Sequence, residues 1–312
     1  MPTYLLVLIV ILSSVIFLVV AFFAITFLLF KITIGRNSFV GKIVNKQFKR
    51  DVQGYKIDHS WWQTQSVEKL FLKTEDAILS GFFIKSNTNS NKLAIVIHGY
   101  FSSHLDLVPQ AKIFADSGFN VFCPDLRGHG ESEGKTIGMA YLDQFDLQKW
   151  IKLLIEKLGK NVEIIITGWS MGGATVCMLS GNKLPENVKG FISDASYTSA
   201  YDEFKFLLKQ RHILSEPIMW LANMGAKIYG KYDFKDASPL LSVEKSTLPI
   251  LFICGAKDTF VPADMTINLF HAKQVGYKQL EIFENAEHIK SYATDTNRYI
   301  KLFQDFVERI FN

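Results

Sequence analysis

From Tyr4 to Phe30 the chain reads YLLVLIVILSSVIFLVVAFFAITFLLF without one charged side chain, and polar positions resume with Lys31. As a helix rising ~1.5 Å per residue, such a run reaches about 40 Å, enough to cross a hydrocarbon core of about 30 Å with tilt. A cleaved signal peptide wants a basic start, an apolar run of roughly 7–15 residues and a small-residue cleavage site. Met1-Pro2-Thr3 offers no basic side chain and the run is far longer, so a retained bilayer anchor over residues 1–30 is expected. Lys31, Arg36, Lys42, Lys46, Lys49 and Arg50 all follow the run and none precedes it. The positive-inside rule then leans the rest of the chain to the cytoplasmic side of a single-pass cell-membrane protein. Residues 31–59 read as a basic juxtamembrane linker, either solvated or lying on anionic headgroups.

Beyond about residue 60 the pattern changes to short β-type runs alternating with helical ones. Leu70 to Lys73 and Ile78 to Lys85 suggest a hairpin. LAIVIHG (Leu93 to Gly99), NVFCPD (Asn120 to Asp125), VEIIITG (Val162 to Gly168), VKGFISD (Val188 to Asp194), LPILFICG (Leu248 to Gly255) and KQLEIFE (Lys278 to Glu284) follow. Several are apolar throughout, as strands covered on both faces are. Helical patterns lie between them at Val108 to Ser117, Ala140 to Leu158, Met171 to Ser180, Ala263 to Val275 and Tyr292 to Phe311. This alternation predicts an α/β domain over residues 60–312, with a mainly parallel, doubly wound sheet. Tyr197 to Lys235 breaks the rhythm with an apolar helical stretch, read as a small cap over the sheet's ligand-binding end, the alternative being two ordinary core helices.

Composition narrows the function classes. With 312 residues, 48% apolar, the chain is long enough for one large domain with its own core plus an anchor. The formal charge is +4 and no basic face carries interleaved aromatics, which argues against nucleic acid. Cys123, Cys177 and Cys254 each sit in an apolar run, and no Cys/His set has zinc spacing, so they read as packing residues. GESEGKT (Gly130 to Thr136) fails as a phosphate loop, because the motif needs glycine where His129 stands.

The chemistry-bearing stretch is GWSMGG, Gly168 to Gly173, placed after the buried run EIIIT and before a helical pattern. A serine hydroxyl is a weak nucleophile; it needs a base within hydrogen-bond reach, a group orienting that base, and donors for the oxyanion that forms. A sharp G-x-S-x-G turn from strand to helix lifts Ser170 above the sheet, and an acid and a histidine are expected further along the chain, in that order. Asp258 in CGAKDTFVP and His288 in ENAEHIKSY both fall in loops at strand ends. Asp194, in ISDASY, also ends a strand and is the rival orienting acid. The oxyanion donors expected are the backbone N–H groups of Met171 and of Tyr100, the latter in the loop after LAIVIHG.

From about Lys69 onward the chain resembles the α/β-hydrolases: HGY, DLRGHGES, GWSMGG, GAKDTFVP and the late EH occur in family order. It is similar to bacterial membrane-anchored members grouped with esterases or prolyl-oligopeptidase-like hydrolases. The resemblance implies Ser170 as nucleophile, His288 as base and Asp258 as the orienting acid; no cofactor or metal is expected. Asp125, Arg127 and His129 are then loop-bracing residues, His98 stabilises its loop, and Glu287 is an exposed neighbour of His288. An aspartate-nucleophile mechanism is disfavoured because serine occupies the elbow.

The expected activity is that of a membrane-anchored serine hydrolase, a carboxylesterase acting on small esters through an acyl-enzyme. Esters are preferred to peptides because no propeller-sized domain precedes the fold and the cap is modest and apolar. The alternatives are a peptidase or amidase taking short peptides, and a non-catalytic binding protein of the same fold. Expected partners are the small substrate and, through the N-terminal helix, the lipid bilayer.

Overall fold

In the computed structural model, which describes residues 2–39, 41 and 58–311, eight strands form a single sheet. They are β1 (Val67–Lys73), β2 (Ile78–Ile84), β3 (Lys92–Ile97), β4 (Asn120–Pro124), β5 (Glu163–Trp169), β6 (Val188–Asp194), β7 (Ile250–Gly255) and β8 (Lys278–Phe283). Their order across the sheet is β1-β2-β4-β3-β5-β6-β7-β8. The β1–β2 and β2–β4 pairs are antiparallel and every pair from β4 to β8 is parallel. The α/β-hydrolase fold expected from the sequence is therefore the fold adopted.

The unbroken apolar strands have a direct cause. Along β3, Leu93, Ile95 and Ile97 enter one core while Ala94 and Val96 enter the other; β5 divides in the same way, with Ile164 and Ile166 opposite Ile165. Alternating side chains point to opposite faces, so a strand with helices on both sides must be apolar at every position. One face is covered by helices α2 (Val108–Asp116) and α8 (Thr296–Phe311), through Ala111, Phe114, Tyr299, Phe303 and Phe306. The other is covered by α3 (Tyr141–Leu158), α4 (Met171–Ser180) and α7 (Ala263–Ala272), through Trp150, Ile151, Val176 and Leu269. Each large side chain so buried contributes roughly 1.5–3 kcal/mol. The three cysteines are free and buried, and burial pushes the Cys177 and Cys254 thiols up to about 12.

Two helices end differently from the pattern. The helix expected from Ala263 to Val275 stops at Ala272, where Lys273 turns extended and its buried ammonium bonds the carbonyls of Ser246 and Val275. The helix expected from Tyr292 is divided into a single turn, Ser291–Thr294, and α8. Asp295 stands between them in a non-helical conformation and accepts from the Arg298 N–H at 3.0 Å, as an N-cap does.

Helix α1 (Thr3–Thr33) runs three residues past the expected anchor boundary. Its first two turns and middle are exposed, but Thr26 and Phe30 are buried against α6 (Ser215–Gly225) and the π-helical turn Ala226–Gly230. Phe22 packs on Trp220, and Phe27 and Phe30 on Tyr229, with ring centroids 5.1–5.9 Å apart. The chain leaving α1 is stitched to the 135–137 loop by Ile137 N–H to Ile34 at 2.7 Å and Arg36 N–H to Lys135 at 3.0 Å. Of the expected basic linker, Lys42, Lys46, Lys49 and Arg50 lie outside the described residues. Helix α5 (Ala200–Gln210) packs against α6.

Candidate active site

Ser170 occupies the turn between β5 and α4 with φ 53° and ψ −123°. Glycines make this turn possible. A Cβ on Gly168 would come within 2.5 Å of the Gly172 backbone, and one on Gly172 within 2.3 Å of the Ile97 carbonyl oxygen. The turn is pinned from the next strand by the Ser170 N–H, which donates to the Asp194 carbonyl at 2.8 Å.

Three side chains separated along the chain meet here. His288 Nε2 is 2.9 Å from Ser170 Oγ, and His288 Nδ1 is 2.7 Å from Asp258 Oδ2. The Asp258 side chain is fully buried, and its other oxygen accepts from the N–H groups of Phe260 at 2.9 Å and Val261 at 2.8 Å. An acid fixed on both oxygens holds the imidazole in the tautomer with hydrogen on Nδ1, leaving Nε2 free to accept from the serine. The parallel ladders bring these loops to one edge: β5 ends at Trp169 opposite Asp194 of β6, and β7 ends at Gly255, three residues before Asp258.

Asp194, the rival acid, is engaged elsewhere. Its Oδ2 accepts from the Tyr299 hydroxyl at 2.9 Å. Burial pushes its carboxyl up to about 7, against the lowering pull of that hydrogen bond and of His288. Glu287 pairs with Lys290 at the surface.

The loop after β3 passes close to the serine: a Cβ on Gly99 would lie 3.2 Å from Ser170 Cβ. Tyr100 and Met171 both line the crevice with Ser170. His98 holds this loop: Leu126 N–H donates to its Nε2 at 2.9 Å, so Nδ1 carries the hydrogen and donates to the Gly99 carbonyl at 2.7 Å. Burial lowers its affinity for a proton, which suits the neutral ring that geometry demands.

The DLRGHGES residues brace the neighbouring loop. Burial alone would raise the Asp125 carboxyl, yet the hydrogen bond from His104 and the nearby His98 bring it down to about 2. It accepts from the N–H groups of His104 and Glu131, both at 2.8 Å. Arg127 forms a bidentate pair with Asp146 at 2.8 and 2.9 Å. His129 donates from Nδ1 to the Arg127 carbonyl, and burial lowers it to about 3.

The crevice above Ser170 is small and open to solvent on one side, and is lined by Met139, Phe204, Leu207, Phe260 and Val261 together with Tyr197 and Glu203. Motif reading missed Glu203 and Tyr197. In the sequence, AYDEFKF looks like an ordinary helix start, where an acid in the first turn is favoured by the helix dipole whatever else it does. On the far side of the loop, the Tyr100 hydroxyl donates to the Thr33 carbonyl at the end of α1. The crevice wall and the N-terminal helix are thereby in contact.

Residues 94–216, from within β3 to the start of α6 and including Ser170, match the family model described as alpha/beta hydrolase fold. The uncharacterized protein YqkD of Bacillus subtilis (strain 168) is 28% identical over 258 residues, 82% of this chain and 84% of that one. Among solved structures, the Pyrococcus furiosus esterase Pf2001 superposes with a TM-score of 0.65 at 20% identity, covering 82% of this chain and 97% of the esterase. The Pyrococcus horikoshii acylaminoacyl peptidase superposes with a TM-score of 0.60 at 20% identity, covering 80% of this chain and 43% of that longer one. The sheet order and the helices on both faces agree with these matches: the chain has the alpha/beta-hydrolase fold.

Proposed function

We propose that the protein is a membrane-tethered serine hydrolase that cleaves small carboxylic esters. The observation that carries this reading is the continuous run of hydrogen bonds from Ser170 Oγ through His288 to Asp258, at 2.9 and 2.7 Å. In the proposed reaction, His288 Nε2 takes the Ser170 proton as Oγ attacks the ester carbonyl, and the N–H groups of Met171 and Tyr100 receive the oxyanion. Collapse expels the alcohol, which takes its proton from His288. Water then attacks the acyl-serine with His288 as base, and the carboxylic acid departs. The buried Asp258 stabilises the imidazolium formed at each half-reaction.

An apolar, narrow crevice favours a small ester, and an esterase among the structural neighbours supports that choice. The tether is supported by α1 itself. Its continuously exposed part, residues 3–20, spans about 27 Å as a helix, close to the hydrocarbon thickness of a bilayer. The remaining turns dock on the helical cap, which would put the crevice beside the membrane surface.

Labelling with a fluorophosphonate tests the assignment. The parent reacts, and Ser170→Ala does not; persistence of label in the variant would put the nucleophile elsewhere. His288→Ala lowers kcat/KM for p-nitrophenyl butanoate by at least ~10³. A preference for aminoacyl amides over p-nitrophenyl esters would overturn the esterase reading.

A further inference from the structure

Both carboxyl oxygens of Glu203 and the hydroxyl of Tyr197 are buried and have no hydrogen-bond partner among the described residues. The two residues are only 3% and 2% exposed, and both line the crevice with Ser170. Leaving a buried polar group unpaired costs about 1–3 kcal/mol, more for a charged one, so a carboxyl in this position needs a reason. Helix capping does not supply it. Ser199 caps α5 by accepting from the Asp202 N–H at 3.0 Å, and the Asp202 carboxylate in turn accepts from Ser199 Oγ at 2.7 Å. Glu203, one residue on, borders the crevice instead.

We propose that Glu203 and Tyr197 form a subsite that receives a primary ammonium group carried by the substrate. The inference rests on reading the crevice as the hydrolytic site. An ammonium offers three N–H donors, which fit two carboxylate oxygens and a phenol oxygen left without donors. The surroundings favour a cation as well. Burial and the neighbouring Asp258 carboxylate both strengthen the hold of Glu203 on its proton while the crevice is empty, and a bound cation offsets both effects. Phe204, Phe260 and Tyr100 border the same crevice, and aromatic rings attract a desolvated cation. An alkyl group of the same shape would leave the carboxyl unpaired, and sites built to hydrogen-bond a substrate group discriminate most strongly against the analogue lacking it.

The test compares chain-matched ester pairs with the full-length protein in detergent at pH 7. On the acyl side, p-nitrophenyl glycinate and β-alaninate are set against the propanoate and butanoate; on the alcohol side, 3-aminopropyl acetate against butyl acetate. The parent prefers the ammonium member of at least one pair by tenfold or more in kcat/KM. Glu203→Leu lowers turnover of that member by about 10², raises that of the alkyl partner, and holds or raises the melting temperature, because an unpaired buried carboxyl is gone. Glu203→Gln, which keeps the volume, falls between the two. Absence of an ammonium preference in every pair overturns the subsite. So does a Glu203→Leu protein that fails to fold or loses both members equally, since either marks a structural role. Fluorophosphonate labelling separates the two levels: a labelled parent with no preference removes the subsite alone, whereas an unlabelled parent removes the hydrolytic reading beneath it.

Discussion

Ser170 is held in a backbone conformation that costs a non-glycine residue about 1–3 kcal/mol, and the surrounding structure over-determines it. The Ala174 N–H bonds its carbonyl at 2.8 Å, its own N–H is taken by Asp194, and glycines at 168 and 172 remove the atoms that would collide. Asp194 therefore serves the turn through its main chain, while its side chain is an independent matter. With its carboxyl raised by burial from 3.8 to about 7, the folded protein keeps a proton that the unfolded chain releases across that range. Stability contributed by Asp194 is thus fully present below about pH 4 and is lost as pH rises to about 7. Asp194→Asn keeps an oxygen for Tyr299 and removes the titration. The denaturation midpoint of the variant relative to the parent is expected to climb between pH 4 and pH 8; a gap independent of pH would contradict the raised carboxyl. Taking the difference between the two proteins cancels His129, whose lowered value works in the opposite direction.

Among the elements, the crossing of α1 over α6 is the contact with most consequence. Gly225 allows it: a Cβ there would come within 2.4 Å of the Thr26 carbonyl oxygen, a backbone atom with no freedom to move aside. The Tyr229 hydroxyl donates to the Phe23 carbonyl at 3.2 Å across the same seam, and the aromatic side chains of both elements interlock around it. Gly225→Leu should lift the helix from the cap, costing the few kcal/mol typical of overpacking at a close contact. The expected result is a lower melting temperature in detergent with fluorophosphonate labelling retained, because Ser170, His288 and Asp258 are held by other elements. An unchanged melting temperature would mean that α1 and the cap are not packed in solution. Leu214, at the start of α6, and Trp220, which packs on Phe22 of α1, remain largely exposed, and under the proposed tether a headgroup layer would suit an aromatic side chain there.

At the scale of the whole molecule, the proposed tether makes a topological prediction. Lys31 and Arg36 follow the apolar run of α1, and under the positive-inside rule the proposed tether then leaves the hydrolase domain facing the cytoplasm. Protease added to intact cells should leave the domain whole and digest it only after lysis; digestion from outside would reverse the orientation. Much of the architecture was legible in the sequence because strands covered on both faces must be apolar at every position and the helices between them must be amphipathic, and both constraints act over a few residues. The apolar run of α1, the alternating β/α order and the glycine spacing around Ser170 are local in that sense. So are the positions of Asp258 and His288 just past strand ends, since a parallel sheet gathers those ends at one edge. What only the tertiary structure decided depends on partners distant along the chain. His288 meets Asp258 and not Asp194, whose carboxyl accepts instead from Tyr299, 105 residues further along the chain. The packing of α1 on the cap needs a glycine about 200 residues away, and the isolation of Glu203 is a property of everything around it. Whether a buried carboxyl is paired cannot be read from its neighbours in sequence, because burial and hydrogen bonding are settled by which surfaces close over it.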